Sequence, residues 1–250
     1  MAAAVAGVAH RAPRHRSSFP SHPMRRTRIK ICGLTREADV EHAAAAGADA
    51  VGFVLYPGSP RCVSARRAGE LARRLPPFVT PVLLFVNASA DEVRAALDAV
   101  PGALLQFHGD ESPEQCAALA GARPWLRAAR VPVGAGAAGF DLLEYADRYS
   151  AAQAVLVDAH VPGYGGGGHA FDWTALPWSD PRLHAAHRVV LSGGLTPANV
   201  TDGVLLVRPW GVDVSSGVEA AKGIKDPARV EAFIAAVRRA DAILADSPAS

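Results

Sequence analysis

From Arg28 onward the hydrophobic positions fall into two alternating rhythms. Short aliphatic runs at Ile29-Lys30-Ile31, Ala50 to Val54, Thr80 to Val86, Ala103 to Phe107, Trp125 to Ala129, Ala154 to Asp158, Val189 to Leu191 and Val212 to Val214 predict eight strands. Between them lie helix patterns with start and stop signals. Thr35 opens one that runs to Ala46 and ends at Gly47, Ser64 caps one to Leu75, and Ser89 one to Ala99. Ser112 precedes another with Pro113 in its first position. A fifth falls within Phe140 to Tyr149, a short sixth starts in Phe171 to Ala175, and Pro227 to Leu244 is the last. The strands are apolar rather than alternating, as in parallel sheets covered by helices. The pattern predicts an α/β fold, a (β/α)8 barrel forming a single domain over residues 28–245. A doubly wound open sheet shares the alternation. Two stretches near the end favour the barrel. Arg188 to Val200 and Trp210 to Asp226 each carry a β-branched run that stops at Ser and Gly, with a helix-start signal beyond it. Paired anion cups of this kind follow strands seven and eight of such barrels.

Composition changes the picture at one end only. The chain of 250 residues has a formal net charge of +2. Residues 1–28 hold six Arg and no acid, leaving 20 basic against 24 acidic residues in the rest, a net of −4. The body therefore lacks the basic footprint of a nucleic-acid binder. Residues 1–27 read as a disordered basic tail, rich in Ala, Arg, Ser and Pro. The tail fits an organelle transit peptide, or an upstream start with Met24 the true beginning; the second reading is preferred. No apolar run approaches the ~18 residues that would span a bilayer. Cys32, Cys62 and Cys116 are odd in number and widely spaced, with no CxxC pair, so no disulfide framework or metal site is indicated and a reducing, cytoplasmic setting is expected.

In a barrel, chemistry collects where the strands end on the C-terminal face. Those positions hold Cys32, Arg61 in the loop after strand two, His108, Asp158, Gly193 and Gly194, then Asp213, Ser215 and Ser216. A thiol and a carboxyl in one pocket make a general base and a general acid. Taken alone, each has a plainer reading. Cys32 is a small core residue, as Cys62 and Cys116 are read to be, and Asp158 is a cap or salt-bridge partner. Arg61 is a solvated charge and His108 a satisfied loop histidine. The run Gly163 to Gly168 matches GxGxxG by composition only and lacks the helix that dinucleotide binding needs; it reads as a loop closing over a ligand. The sequons at Asn87 and Asn199 read as inert without a secretory signal.

Lys30-Ile31-Cys32-Gly33-Leu34-Thr35 resembles the opening KICG-x-T motif of the phosphoribosylanthranilate isomerase family. The similarity continues through Ser59 to Val63, Gln106 to Glu111, Asp158, Phe171-Asp172-Trp173, Ser192 to Leu195, Val212 to Glu219, and Gly223 with Lys225-Asp226. The resemblance implies a (β/α)8 barrel that runs an Amadori rearrangement of a phosphoribosyl arylamine without cofactor or metal. It implies Asp158 as general acid, Cys32 as general base and Arg61 on the anthranilate carboxylate. Gly193, Gly194, Ser215 and Ser216 would lie at the phosphate, with His108 and Asp213 lining the pocket. It implies a small-molecule phosphosugar substrate, no nucleic-acid or membrane partner, and a monomer or homodimer. Three positions depart from the family pattern: Gly167 where Thr is usual, Leu83 where Gly is frequent, and Phe107 in place of Leu. Two rivals remain at this point: a phosphosugar barrel of the histidine pathway, whose members typically use two Asp, and a phospho-ligand-binding barrel without catalysis.

Overall fold

A computed structural model describes residues 26–132, 139–160, 173 and 176–246. Eight parallel strands close on themselves in sequence order: β1 (Arg28–Cys32), β2 (Ala50–Val54), β3 (Thr80–Phe85), β4 (Leu104–Phe107), β5 (Trp125–Pro132), β6 (Ala154–His160), β7 (Val189–Leu191) and β8 (Gly211–Val214). The last strand pairs with the first, Lys30 opposite Asp213 and Ile31 opposite Val214, so no sheet edge is left. This is the predicted barrel and excludes the open sheet.

The alternation of each strand separates two cores. Ile29, Ile31, Val51, Phe53, Leu83, Phe85, Leu105 and Phe107 pack outward against the helices in one large cluster. Residues between them point into the barrel, where Leu126, Ala128, Ala154, Leu156 and Val190 fill one layer and Cys32, Val54, Leu84 and Val86 another. Leu83 and Phe107 belong to the outer set. Phe107 lies 5.9 Å from Trp125 and 6.3 Å from Phe85, ring to ring, so both substitutions are packing changes.

The helices are α1 (Glu37–Ala45), α2 (Ala65–Ala72), α3 (Ala90–Ala99), α4 (Pro113–Ala120), α5 (Leu142–Arg148), α6 (Pro181–Ala186), α7 (Val200–Val207) and α8 (Pro227–Asp246). Ser64, Ser89 and Ser112 cap α2, α3 and α4 through their side chains, and the last two form reciprocal capping boxes with Glu92 and Gln115. The cap predicted at Thr35 does not form. Helix α1 starts two residues later, and the Thr35 hydroxyl donates to the Gly223 carbonyl at 2.7 Å instead. Helix α6 lies at Pro181–Ala186, capped by Asp180; the predicted start of a sixth helix at Phe171 to Ala175 falls, apart from Trp173, outside the described residues. Between β8 and α8 the chain first makes a short excursion. A 3-10 turn (Ser216–Val218) leads into an antiparallel pair, β9 (Glu219–Ala221) and β10 (Ile224–Lys225).

Thr27 was expected in the tail, yet it is buried and its hydroxyl donates to Asp241 of α8 at 2.6 Å. Residues 1–25, the loop from Pro162 to Gly168 with Gly167, and Phe171-Asp172 lie outside the described residues. Among the described residues no helix is long and apolar enough to cross a membrane.

Candidate active site

The C-terminal ends of the strands bring the predicted residues to one face. Cys32 ends β1 and Asp213 sits on β8 beside it, His108 follows β4, and Asp158 lies on β6, three strands round from β1 through β8 and β7. Gly193 and Gly194 follow β7, and Ser215 and Ser216 follow β8.

The acid side is a short relay. The Gln106 amide nitrogen lies 3.0 Å from Nδ1 of His108, and Nε2 of His108 lies 3.1 Å from Oδ2 of Asp158. With the amide donating to Nδ1, the ring proton is on Nε2 and is aimed at the Asp158 carboxyl. His108 is buried just past the end of β4, and both of its ring nitrogens have partners. Gln106 Oε1 is buried with no hydrogen-bond partner among the described residues.

The base side is built from charge. Cys32 is 5% exposed and shares its side of β1 with Lys30, whose Nζ donates to Asp213 Oδ1 at 2.8 Å. Opposite Cys32 on β2 stands Gly52; a Cβ there would fall 2.7 Å from the Cys32 sulfur and 3.1 Å from Lys30 Nζ. The glycine is therefore the space the thiol and the ammonium share. Burial pushes the Cys32 thiol above its ordinary value; the Lys30 charge pulls it down and Asp213 raises it again. Burial works against the Lys30 ammonium too, but Asp213 and Cys32 outweigh it and hold the amine above the usual lysine range.

Arg61 is buried, not solvated, and donates Nε and Nη2 to the two carboxylate oxygens of Glu219 at 2.7 Å each. Lys225 Nζ reaches the same carboxylate at 2.8 Å and the Ser215 carbonyl at 3.0 Å. The Ser215 hydroxyl in turn donates to the Cys32 carbonyl at 3.0 Å, which ties the loop after β8 to the end of β1. Gly193 and Gly194 take positive φ angles of 79° and 67°, which only glycine adopts without strain. Among the described residues their N–H groups find no backbone acceptor. Gly217 lets the loops after β7 and β8 meet, because a Cβ there would stand 1.9 Å from the Leu195 carbonyl oxygen.

Of the other cysteines, Cys116 is core, its thiol pushed up to about 11 chiefly by burial, whereas Cys62, also expected inside, is exposed. The sequence reading missed the parts played by Lys30, Gln106, Glu219 and Lys225. For Lys30 and Gln106 the available signal was a charged or amide side chain at an inward position of an otherwise apolar strand, which demands a partner. Among the described residues no cluster of His, Cys, Asp and Glu could hold a metal ion. A separate cavity of about 270 Å³ opens at the opposite, N-terminal face beside Phe78, Arg188 and Trp210. It lies away from the thiol and the carboxyl, on the face that serves stability in such barrels.

The sequence model of N-(5'-phosphoribosyl)anthranilate (PRA) isomerase matches residues 29–236. The chain belongs to the phosphoribosylanthranilate isomerase family. The N-(5'-phosphoribosyl)anthranilate isomerase of Leptothrix cholodnii is 64% identical over 217 residues, covering 87% of this chain and 93% of that protein. The phosphoribosyl anthranilate isomerase structure from Thermotoga maritima superposes with a TM-score of 0.75 at 38% identity, covering 85% of this chain and 99% of that one. A family structure at 34% identity, with a TM-score of 0.69 and coverages of 85% and 99%, holds reduced 1-(o-carboxyphenylamino)-1-deoxyribulose 5-phosphate. Membership of the phosphoribosylanthranilate isomerase family displaces both the histidine-pathway barrel and the non-catalytic barrel.

Proposed function

We propose that the chain converts N-(5'-phosphoribosyl)anthranilate into 1-(2-carboxyphenylamino)-1-deoxyribulose 5-phosphate, the isomerisation of tryptophan biosynthesis, with Asp158 as acid and Cys32 as base. The observation that carries the assignment is the placement of these two groups on separate strands of one barrel mouth, each with its own polar support.

Asp158 gives its proton to the ribose ring oxygen; the C1–O bond breaks, and the nitrogen lone pair forms a Schiff base. The Cys32 thiolate then takes the proton from C2. The C–H electrons form the C1–C2 double bond, and the imine nitrogen becomes neutral. The resulting enolamine tautomerises to the ketose, so the atoms balance without cofactor. His108 steadies Asp158 by its bond to Oδ2. Arg61, braced by Glu219, faces the anthranilate carboxylate as the cation of the pocket. The left-handed turn at Gly193-Gly194 and the Ser215-Ser216 segment seat the phosphate on backbone N–H groups.

A coupled assay on freshly generated substrate tests this. Turnover by the purified chain is expected, and Cys32→Ala and Asp158→Asn each lower kcat by orders of magnitude, roughly the 10²–10⁴ of a lost acid or base. Full activity in both variants refutes the mechanism.

A further inference from the structure

We propose that Lys30, pinned by Asp213 and seated beside Cys32 above Gly52, is the positioning residue that supplies the positive charge against which the Cys32 thiolate forms. The inference rests on Cys32 being the base of the reaction.

A thiol removes a proton only as thiolate, and burial disfavours the charged form. One side of Cys32 offers the charged form no help. From β2 and β3 it meets the apolar side chains of Val54, Leu84 and Val86, with Tyr56 packed alongside. Three cations act on it: Lys30 on its own strand, Lys225 on β10, and Arg61 from the loop after β2. Lys225 and Arg61 donate to the Glu219 carboxylate at 2.7–2.8 Å, as Lys30 does to Asp213, so position and not pairing sets Lys30 apart. Lys30 shares the space above Gly52 with the sulfur. Among the described residues its carboxylate partner is Asp213, which comes from the neighbouring strand at 2.8 Å and fixes where the ammonium points. Register supports this: Lys30 lies opposite Asp213 on one side, and Cys32 opposite Gly52 on the other. Asp213 is thereby the anchor of Lys30, a different duty from lining the substrate pocket.

The two charges act on the thiol with opposite sign, which gives a test that a merely structural role does not pass. The thiolate of Cys32 is titrated by its ultraviolet absorbance in the full-length chain, as the difference between each protein and its Cys32→Ser counterpart, and compared with the pH profile of kcat/KM. Lys30→Met is expected to move both midpoints up by about one unit, a roughly tenfold loss of thiolate at neutral pH, with turnover recovering at alkaline pH. Asp213→Asn, with Lys30 still charged, is expected to move them down. An unmoved midpoint in Lys30→Met, or an unmoved or raised midpoint in Asp213→Asn, overturns the proposal. If Lys30→Met does not fold, Asp213→Asn decides alone. The titration needs no substrate, so its failure is distinct from a failure of the isomerase reading, which would appear as unimpaired turnover in Cys32→Ala.

Discussion

Glu219→Gln isolates the brace behind Arg61. The Glu219 carboxylate receives three charged hydrogen bonds, two from Arg61 at 2.7 Å and one from Lys225 at 2.8 Å, with all three side chains buried. Neutralising it leaves two buried cations facing one amide. Breaking a buried pair in this way costs about 3–5 kcal/mol, a large part of a total stability of roughly 5–15. At ~2–4 °C per kcal/mol for a domain of this size, the melting point falls by roughly 6–20 °C. Lys225 offers partial relief. Burial already holds its amine below the ordinary lysine value despite Glu219, and losing Glu219 lowers it further. Between that depressed value and the unfolded value of about 10.4, the unfolded chain binds more protons, so stability climbs with pH across the window. The defect is therefore largest near neutrality and shrinks toward about pH 10. Urea unfolding at both ends of the window measures it, and KM rises in parallel as Arg61 loses its brace. A variant as stable as the parent at neutral pH, or one whose loss does not change with pH, refutes the reasoning.

Other substitutions separate the parts of the site. Gly217→Ala places a methyl 1.9 Å from the Leu195 carbonyl oxygen, so it should part the two loops proposed to seat the phosphate and weaken inhibition by inorganic phosphate at least about tenfold in a competition assay. Gln106→Leu removes the amide from Nδ1 of His108; kcat should fall about tenfold with KM little changed, and the imidazole nitrogen resonances should move. Arg127→Met takes the cation, bonded at 2.7 Å with both side chains 4% exposed, from the Glu111 carboxylate, which keeps only the Asn87 and Gly109 N–H groups, and should cost about 3–5 kcal/mol in urea unfolding. The double variant Arg127→Met, Glu111→Gln should cost less than the two single changes added, because no charge is left alone.

The barrel was legible because its signals are local. Serine caps, Pro113 and eight apolar runs each specify an element without reference to the others. Cys32, His108, Asp158 and Asp213 were found because a strand terminus is recognisable by itself. What stayed hidden depends on register. That Lys30 meets Asp213 follows from how β1 docks on β8 across a separation of 183 positions, which no spacing rule encodes. Thr35 looked like a cap because a free hydroxyl before a helix usually is one; here the Gly223 carbonyl from the other end of the chain outcompetes the helix. Arg61 read as surface charge because its partner Glu219 is 158 positions away.

The closing seam between β1 and β8 also has a temporal meaning. The sulfur proposed as the base belongs to the first strand of the barrel to leave the ribosome, whereas the carboxylate beside its ammonium neighbour comes from the last barrel strand. A chain interrupted before β8 carries Cys32 without that anchor, and without Glu219 and Lys225. On the proposed mechanism the site is complete only once β8 has closed on β1.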